Sequence, residues 1–126
     1  MAKMYPPSRK SCYNFRVVKI NRVVDGDTID VTIDLGFDLM KKERVRIAGV
    51  DTPEKRTRDL EEKARGLAAK DFVVEILKQH KNNFILHSQG VGKYGRCLGN
   101  IFLGDTNLND LLINEGHAVE YSGGKR

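Results

Sequence analysis

The sequence contains no tryptophan, only two cysteines and three prolines, and no long apolar run. Cys12 and Cys97 are too few for a disulfide framework, and no histidine or further cysteine has zinc-site spacing. We expect two reduced thiols, with Cys97 packed in a strand. No stretch approaches the ~20 apolar residues that span a bilayer, and residues 1–7 carry no signal-peptide core. We expect no membrane contact, and a protein that is cytoplasmic, exported or released by another route, or freed of a leader.

Charge is what the sequence has in excess. Its 22 lysines and arginines outnumber its 17 acids and give a net charge of +5. Basic residues precede the first acid and acids crowd the next segment: Lys3, Arg9, Lys10, Arg16, Lys19 and Arg22, then Asp25, Asp27, Asp30, Asp34 and Asp38. A basic surface beside an acidic pocket suits a protein that attracts nucleic acid and holds a cation. The alternative is an ordinary solvated surface.

Apolar periodicity predicts one α+β domain built on a barrel. Ile29, Val31 and Ile33 alternate with polar residues, as in a half-buried strand, and apolar residues recur every four positions from Ala64 to Ile76. The predicted elements are strands at 15–24, 28–35 and 43–50, a helix at 61–79, strands at 84–86 and 96–103, and a short helix around 108–112. This order predicts a five-stranded OB-type barrel with a helix between strands three and four and a short C-terminal helix. We expect an irregular basic arm at 1–14, the domain at 15–121 and a loose tail at 122–126.

Three short motifs concentrate the polar residues that carry chemistry. They are Asp25-Gly26-Asp27-Thr28, Arg46 ahead of Val50-Asp51-Thr52-Pro53-Glu54, and Lys93-Tyr94-Gly95-Arg96. Each alone has a simple structural interpretation: a type I′ hairpin turn, a turn or helix cap, an exposed arginine, and a turn that enters a strand.

Together the motifs supply what hydrolysis of a phosphodiester needs. Asp27 and Asp51 are hard oxygen ligands for a cation such as calcium, and the Thr52 carbonyl is a further ligand. Glu54 is a candidate general base. Arg46 and Arg96 are candidate clamps, because the planar guanidinium matches two phosphate oxygens.

The three motifs closely resemble the signature of the staphylococcal-nuclease-like (thermonuclease) domain, and the resemblance runs from about Phe15 to Tyr121. It implies an OB-type barrel and Ca²⁺-dependent hydrolysis of DNA and RNA by an endonuclease that leaves 3′-phosphates. It also implies a role for each motif residue. Asp27, Asp51 and the Thr52 carbonyl bind Ca²⁺, Asp25 is an outer-shell acid, Glu54 is the general base, Arg46 and Arg96 are phosphate clamps, and Lys93, Tyr94 and Tyr121 contact substrate.

Fuller members of this family continue into another helix beyond the position of Tyr121, so we expect a homodimer or a marginally stable monomer. The alternative function is a non-catalytic OB-fold module that binds nucleic acid. Such a module has little use for Glu54, which makes this residue the best discriminator. A two-metal Mg²⁺ phosphodiesterase is a third interpretation, but it requires more converging carboxylates than Asp25 and Asp30 add.

Overall fold

The structure is a computed structural model that describes residues 13–55, 57–80, 84–91 and 97–121, without the side chains of Gln89 and Val91. Most of the predicted arm, and all of the predicted tail, lie outside these residues. Tyr13 and Asn14, predicted as part of the arm, belong to the first strand. In chain order the elements are β1 (Tyr13–Asp25), β2 (Thr28–Gly36), β3 (Leu39–Ile47), β4 (Val50–Asp51), α1 (Leu60–Gln79), β5 (Phe84–Val91), β6 (Cys97–Leu103), β7 (Thr106–Asn107), α2 (Leu108–Asn114) and β8 (Val119–Glu120).

The five long strands form a closed barrel, as predicted. Antiparallel pairing gives the order β3-β2-β1-β5-β6, and a parallel pairing between β3 and β6 closes the sheet on itself. Arg46 lies opposite Leu98 in that closing pair. Closure leaves neither β3 nor β6 as an open edge along this stretch. Helix α1 connects the first three barrel strands to the last two.

The core is lined by the alternating residues of β2 and β3. Ile29, Val31, Val45 and Ile47 are fully buried, as the period-two pattern of β2 predicts for that strand. Helix α1 covers one side of the barrel with Ala69, Val73 and Leu77, together with Gly66. The predicted helix face is therefore displaced, because Ala64 and Ala68 are exposed. Among the described residues no helix is long and apolar enough to cross a membrane.

The β2–β3 hairpin is longer than predicted. Phe37 and Asp38 have positive φ values of 55° and 62°, as in a two-residue type I′ turn that leads directly into β3. The predicted loop through Lys41 and Lys42 is therefore wrong, because both residues pair with β2. The third strand also ends earlier than predicted. Gly49 has φ +78°, and Val50–Asp51 forms a separate short strand with β8.

Candidate active site

Asp27 lies in the turn between β1 and β2, where two other segments hold it. Its carbonyl accepts a hydrogen bond from the Ile47 backbone N–H at 2.8 Å, which fixes the turn against β3. Its carboxylate accepts from Thr28 Oγ1 at 3.1 Å and from the Thr52 backbone N–H at 3.2 Å. Only 8% of the residue is exposed, so the carboxylate is held in a defined position.

Gly26 precedes Asp27 for a packing reason. A Cβ atom at this position would lie 2.9 Å from Ala69 Cβ and 3.0 Å from Thr52 Cγ2. The motif is a two-residue hairpin turn between β1 and β2, as predicted, but Gly26 lacks the positive φ of type I′, so that turn type is wrong. Glycine instead allows helix α1 to approach the turn that carries Asp27.

Arg46 connects the first two motifs. Its Nη2 atom lies 3.6 Å from Asp27 Oδ2 and 3.6 Å from Asp51 Oδ1, and its Nη1 donates to the Ile47 carbonyl at 2.8 Å. The residue faces away from Val45 and Ile47, as predicted, but only 17% of its side chain is exposed. One guanidinium therefore holds two carboxylates from separate segments at one rim of the barrel.

Tyr121 lies beside this arginine. The Arg46 Cζ atom is 5.9 Å from the centre of the Tyr121 ring, within the range of a cation–π contact. The Tyr121 backbone N–H donates to the Gly49 carbonyl at 3.0 Å, and Asp51 pairs with Val119 in the adjacent β4–β8 ladder. The structure thus brings the predicted substrate residue Tyr121 to the same site as Asp51.

Glu54 is exposed, on a loop that α1 holds in place. Its backbone N–H donates to Glu62 Oε1 at 3.3 Å. Gly66 allows closer contact, because a Cβ there would lie 2.7 Å from the Pro53 carbonyl oxygen and 2.8 Å from that of Glu54. Glu62 and Gly66 therefore position the loop, and the sequence motifs alone gave no signal for either role.

These residues surround an open cleft of about 360 Å³. It is lined by Arg22, Val24, Asp25, Asp27, Thr28, Arg44, Asp51, Thr52, Pro53, Glu54 and Lys55. The predicted ligands, outer-shell acid and base thus share one cavity. Lys55 was not predicted, and its Nζ lies 3.7 Å from Asp25 Oδ1.

The third motif, with Lys93, Tyr94 and Arg96, lies outside the described residues.

Arg44 is a second cationic residue of the cleft that the motifs did not identify. Its Nε donates to Asp30 Oδ1 at 2.8 Å and its Nη2 donates to Asp30 Oδ2 at 3.1 Å. These hydrogen bonds and the positive charge of Arg44 lower the pKa of Asp30. The same hydrogen bonds and the negative charge of Asp30 raise the pKa of Arg44. The pair stays ionised across the neutral range.

The oxygen atoms of the cleft suit a hard cation, but they are too few to complete its coordination. Asp27 and Asp51 supply carboxylates that share one guanidinium nitrogen, and Thr52 lines the same cleft. Within the part of the chain that the structure describes, no group of three or more His, Cys, Asp or Glu residues is placed to hold a metal. A hard cation bound by this set takes its remaining ligands from water or substrate oxygens.

Comparison with known proteins agrees with this geometry. Residues 44–125 match the family described as "Staphylococcal nuclease homologue". The chain is 38% identical over 99 residues to a thermonuclease of Staphylococcus intermedius, covering 79% of this chain and 56% of that protein. It is 35% identical over 105 residues to a thermonuclease of Staphylococcus hyicus, covering 83% and 59%. An uncharacterized endonuclease of Escherichia coli O157:H7 is 30% identical over 104 residues, covering 82% and 60%. The chain thus spans less than two thirds of each of these relatives.

Proposed function

Because the chain belongs to the staphylococcal nuclease homologue family, we propose that it is a nuclease that hydrolyses phosphodiester bonds of DNA and RNA. One observation carries the proposal: Arg46 holds Asp27 and Asp51 together beside a cleft that Glu54 also lines. A binding module has no need of a partly buried arginine between two carboxylates, because phosphate binding requires only exposed cations. The thermonuclease and endonuclease relatives support the same conclusion.

We propose Ca²⁺ as the cofactor, held by the carboxylates of Asp27 and Asp51 and the carbonyl of Thr52, with Asp25 outside the direct ligands. When bound, such an ion supplies Lewis-acid stabilisation of a phosphate oxygen. Asp27 suits a ligand because its carboxylate is already oriented by Thr28 Oγ1 and the Thr52 N–H. Asp25 lines the same cleft and lies 3.7 Å from Lys55 Nζ, which supports a role for it near the ion.

In the proposed reaction, water attacks the phosphorus in line with the leaving 5′-oxygen. Glu54 accepts a proton from the attacking water, the new P–O bond forms, and the bond to the 5′-oxygen breaks. The leaving 5′-oxygen takes up a proton from solvent and Glu54 releases its proton to solvent, which leaves a 3′-phosphate and a 5′-hydroxyl. Arg46 and Arg96 neutralise the charge that develops on the equatorial oxygens, and Arg96 assists the leaving oxygen. Lys93, Tyr94 and Tyr121 contact the neighbouring phosphate, sugar or base.

The test is cleavage of single-stranded DNA, plasmid and RNA in Ca²⁺, in Mg²⁺ and in EDTA. We expect degradation in Ca²⁺, none in EDTA, and a loss of about 10²–10⁴-fold in Glu54→Gln. Glu75→Gln is the matched control, since Glu75 is 65% exposed and, within the part of the chain that the structure describes, forms its ion pair inside α1, with Lys78. Phosphatase treatment of a 5′-labelled product, followed by electrophoresis, checks for the 3′-phosphate.

Two outcomes would change the proposal. Equal rates in Mg²⁺ and Ca²⁺ would remove the calcium-specific mechanism. A folded wild-type protein that binds DNA in Ca²⁺ without cutting it would be a binding module, despite Glu54 in the cleft.

A further inference from the structure

The outer face of strands β1, β2 and β3 carries three rows of paired residues that begin at the cleft. The first row, at the cleft, consists of Asp25, Thr28 and Arg46; the second of Arg22, Asp30 and Arg44; and the third of Lys19, Thr32 and Lys42. Residues paired across neighbouring strands lie on the same face of a sheet. The second and third rows therefore place two cations each in line with the active-site residues.

A second depression lies beside the cleft along these rows. Arg22 and Arg44 line the cleft itself. Arg44 also lines a second surface depression of about 380 Å³, with Asn21, Asp30 and Lys42 among its other lining residues. The two depressions are therefore adjacent, because Arg44 lines both. We call the second depression, with Arg22 and Arg44 at its boundary with the cleft, the flank groove.

The flank groove is basic because its acids are already paired. Asp30 accepts two hydrogen bonds from Arg44, and Glu43 on the rim lies 2.6 Å from Lys41 Nζ. Arg22 and Lys42 are exposed, and no acid among the described residues lies within ion-pair distance of either. A solvated strand face commonly mixes charges in this way. This face differs because it adjoins the cleft that holds the proposed catalytic residues.

We propose that the flank groove binds the phosphates of the nucleic-acid strand next to the scissile phosphate. This inference rests on the proposed nuclease function and extends it to substrate length. Successive rows are two residues apart on β3, so the two steps from Arg46 to Lys42 cover about 13 Å along this strand. For a strand in B-DNA, with a rise of about 3.4 Å per nucleotide, that distance corresponds to roughly four nucleotides, and an extended single strand covers it with fewer. Arg22, Lys42 and Arg44 are the phosphate-binding residues, and the protein prefers substrates with a flank of this length.

Binding by the uncut complex tests the groove separately from catalysis. The probes are a fluorescent oligothymidylate trinucleotide and dodecanucleotide, titrated in Ca²⁺ onto Glu54→Gln protein. We expect the dodecanucleotide to bind more tightly, and expect the double variant Arg22→Ala/Lys42→Ala to weaken its binding on the order of tenfold, with a smaller effect on the trinucleotide. The slope of log Kd against log salt should decrease by about 0.7 for each phosphate that the variant no longer neutralises.

Asp30→Asn gives an effect of opposite sign. Removal of this carboxylate releases Arg44 and makes the groove more positive, so dodecanucleotide affinity should increase about threefold. Lys78→Ala is the charge control, because Lys78 is 69% exposed near the end of α1 and should leave both affinities unchanged. The melting temperature of each variant checks that the barrel remains folded.

The proposal is overturned if the double variant weakens both oligonucleotides equally, or changes dodecanucleotide affinity no more than Lys78→Ala does. It is also overturned if Asp30→Asn lowers the affinity. If the wild type does not cleave DNA or RNA but still binds the dodecanucleotide more tightly than the trinucleotide, the proposed nuclease function is overturned and the proposed binding groove is not.

Discussion

At the residue scale, Arg46 has both a structural and a proposed catalytic role. Its guanidinium is the group that faces both Asp27 and Asp51, each at 3.6 Å. Two carboxylates on one cleft repel each other when the cation between them is removed. Arg46 is also a proposed phosphate clamp, and its contacts with the two carboxylates and the Ile47 carbonyl fix its orientation in the site.

Substitution of Arg46 separates these roles. Arg46→Ala should lower kcat/KM by about a hundredfold or more and destabilise the fold by roughly 1–3 kcal/mol, because two carboxylates lose their partner. Arg46→Lys should keep most of the stability but lose activity to a similar extent, because an ammonium does not present a planar fork. Steady-state kinetics and urea unfolding measure the two effects. Arg16→Ala is the control, since that arginine is 66% exposed.

Cys97 gives a pH dependence at the same scale. The thiol is buried in β6, as predicted for a strand residue, and burial raises its pKa above the ordinary value of 9.0. At a pH between 9.0 and the raised pKa of the folded protein, the Cys97 thiol is ionised in the unfolded chain and protonated in the folded chain. Stability should therefore decrease as pH rises above 9.0, through the ionisation of this thiol.

Urea unfolding of wild type and Cys97→Ala across this alkaline range measures the contribution. The variant should be less stable at neutral pH, because the substitution leaves a small cavity, but its stability should fall less steeply with pH. Parallel curves would show that the Cys97 thiol does not contribute to the slope.

At the element scale, helix α1 supports the active site from behind. It packs against the turn before Asp27 at Gly26 and against the Pro53–Glu54 backbone at Gly66. Its first turn begins at the cap Asp59, whose side chain accepts from the N–H groups of Glu61 and Glu62. Glu62 then receives the Glu54 N–H, so the helix start and the proposed base are linked.

Gly66→Ala tests this support. Alanine favours a helix by about 1 kcal/mol over glycine, but its Cβ would lie 2.7 Å from the Pro53 carbonyl oxygen. We therefore expect activity to fall at least tenfold through displacement of Glu54, with no gain in stability. Ala68→Gly is the matched control on the exposed face of α1: it should cost about 1 kcal/mol and leave kcat unchanged. Full activity in Gly66→Ala would show that the loop tolerates the shift.

The elements also show where sequence reasoning succeeds and where it fails. The alternation of Ile29, Val31 and Ile33 identifies β2 because a half-buried strand requires that pattern. Lys41 and Lys42 resemble loop residues in the sequence because two consecutive lysines show no apolar alternation. They are strand residues because the tight turn at residues 37–38 leads directly into β3. The contacts of Gly26 and Gly66 are not predictable, since they depend on how α1 packs against distant segments.

At the scale of the whole molecule, the motifs predicted the candidate site better than its environment. The cleft unites Asp25, Asp27, Asp51, Thr52 and Glu54, as the spacing and the family resemblance led us to expect. Neither indicated that Arg46 would be partly buried between two carboxylates, because burial is a property of the closed barrel. The outward rows of β1 and β3 likewise follow from strand register, which a local motif does not record. Lys55 meets Asp25 through the folded loop between β4 and α1, which a local motif does not record either.

Cation binding should be visible in the stability of the whole fold. A ligand that binds only the folded state stabilises it by about 2.7 kcal/mol at a hundred times its Kd. We expect Ca²⁺ to raise the melting temperature of the wild type and EDTA to reverse the rise. Asp51→Asn should lose most of the increase, whereas Asp105→Asn, exposed after β6, should keep it. An equal increase in both variants would place the bound ion elsewhere.

The pairing of Asp51 with Val119 has a consequence for biosynthesis. This β4–β8 ladder joins a segment near the middle of the chain to the last described strand, and Tyr121 reaches Arg46 only when that strand is in place. A growing chain on the ribosome can form the β2–β3 hairpin early, because its strands are adjacent in sequence. The segment that carries Tyr121 leaves the ribosome much later. For the proposed nuclease, which is made beside ribosomal RNA, this order of assembly delays the Arg46–Tyr121 contact until nearly all of the described domain has been synthesised.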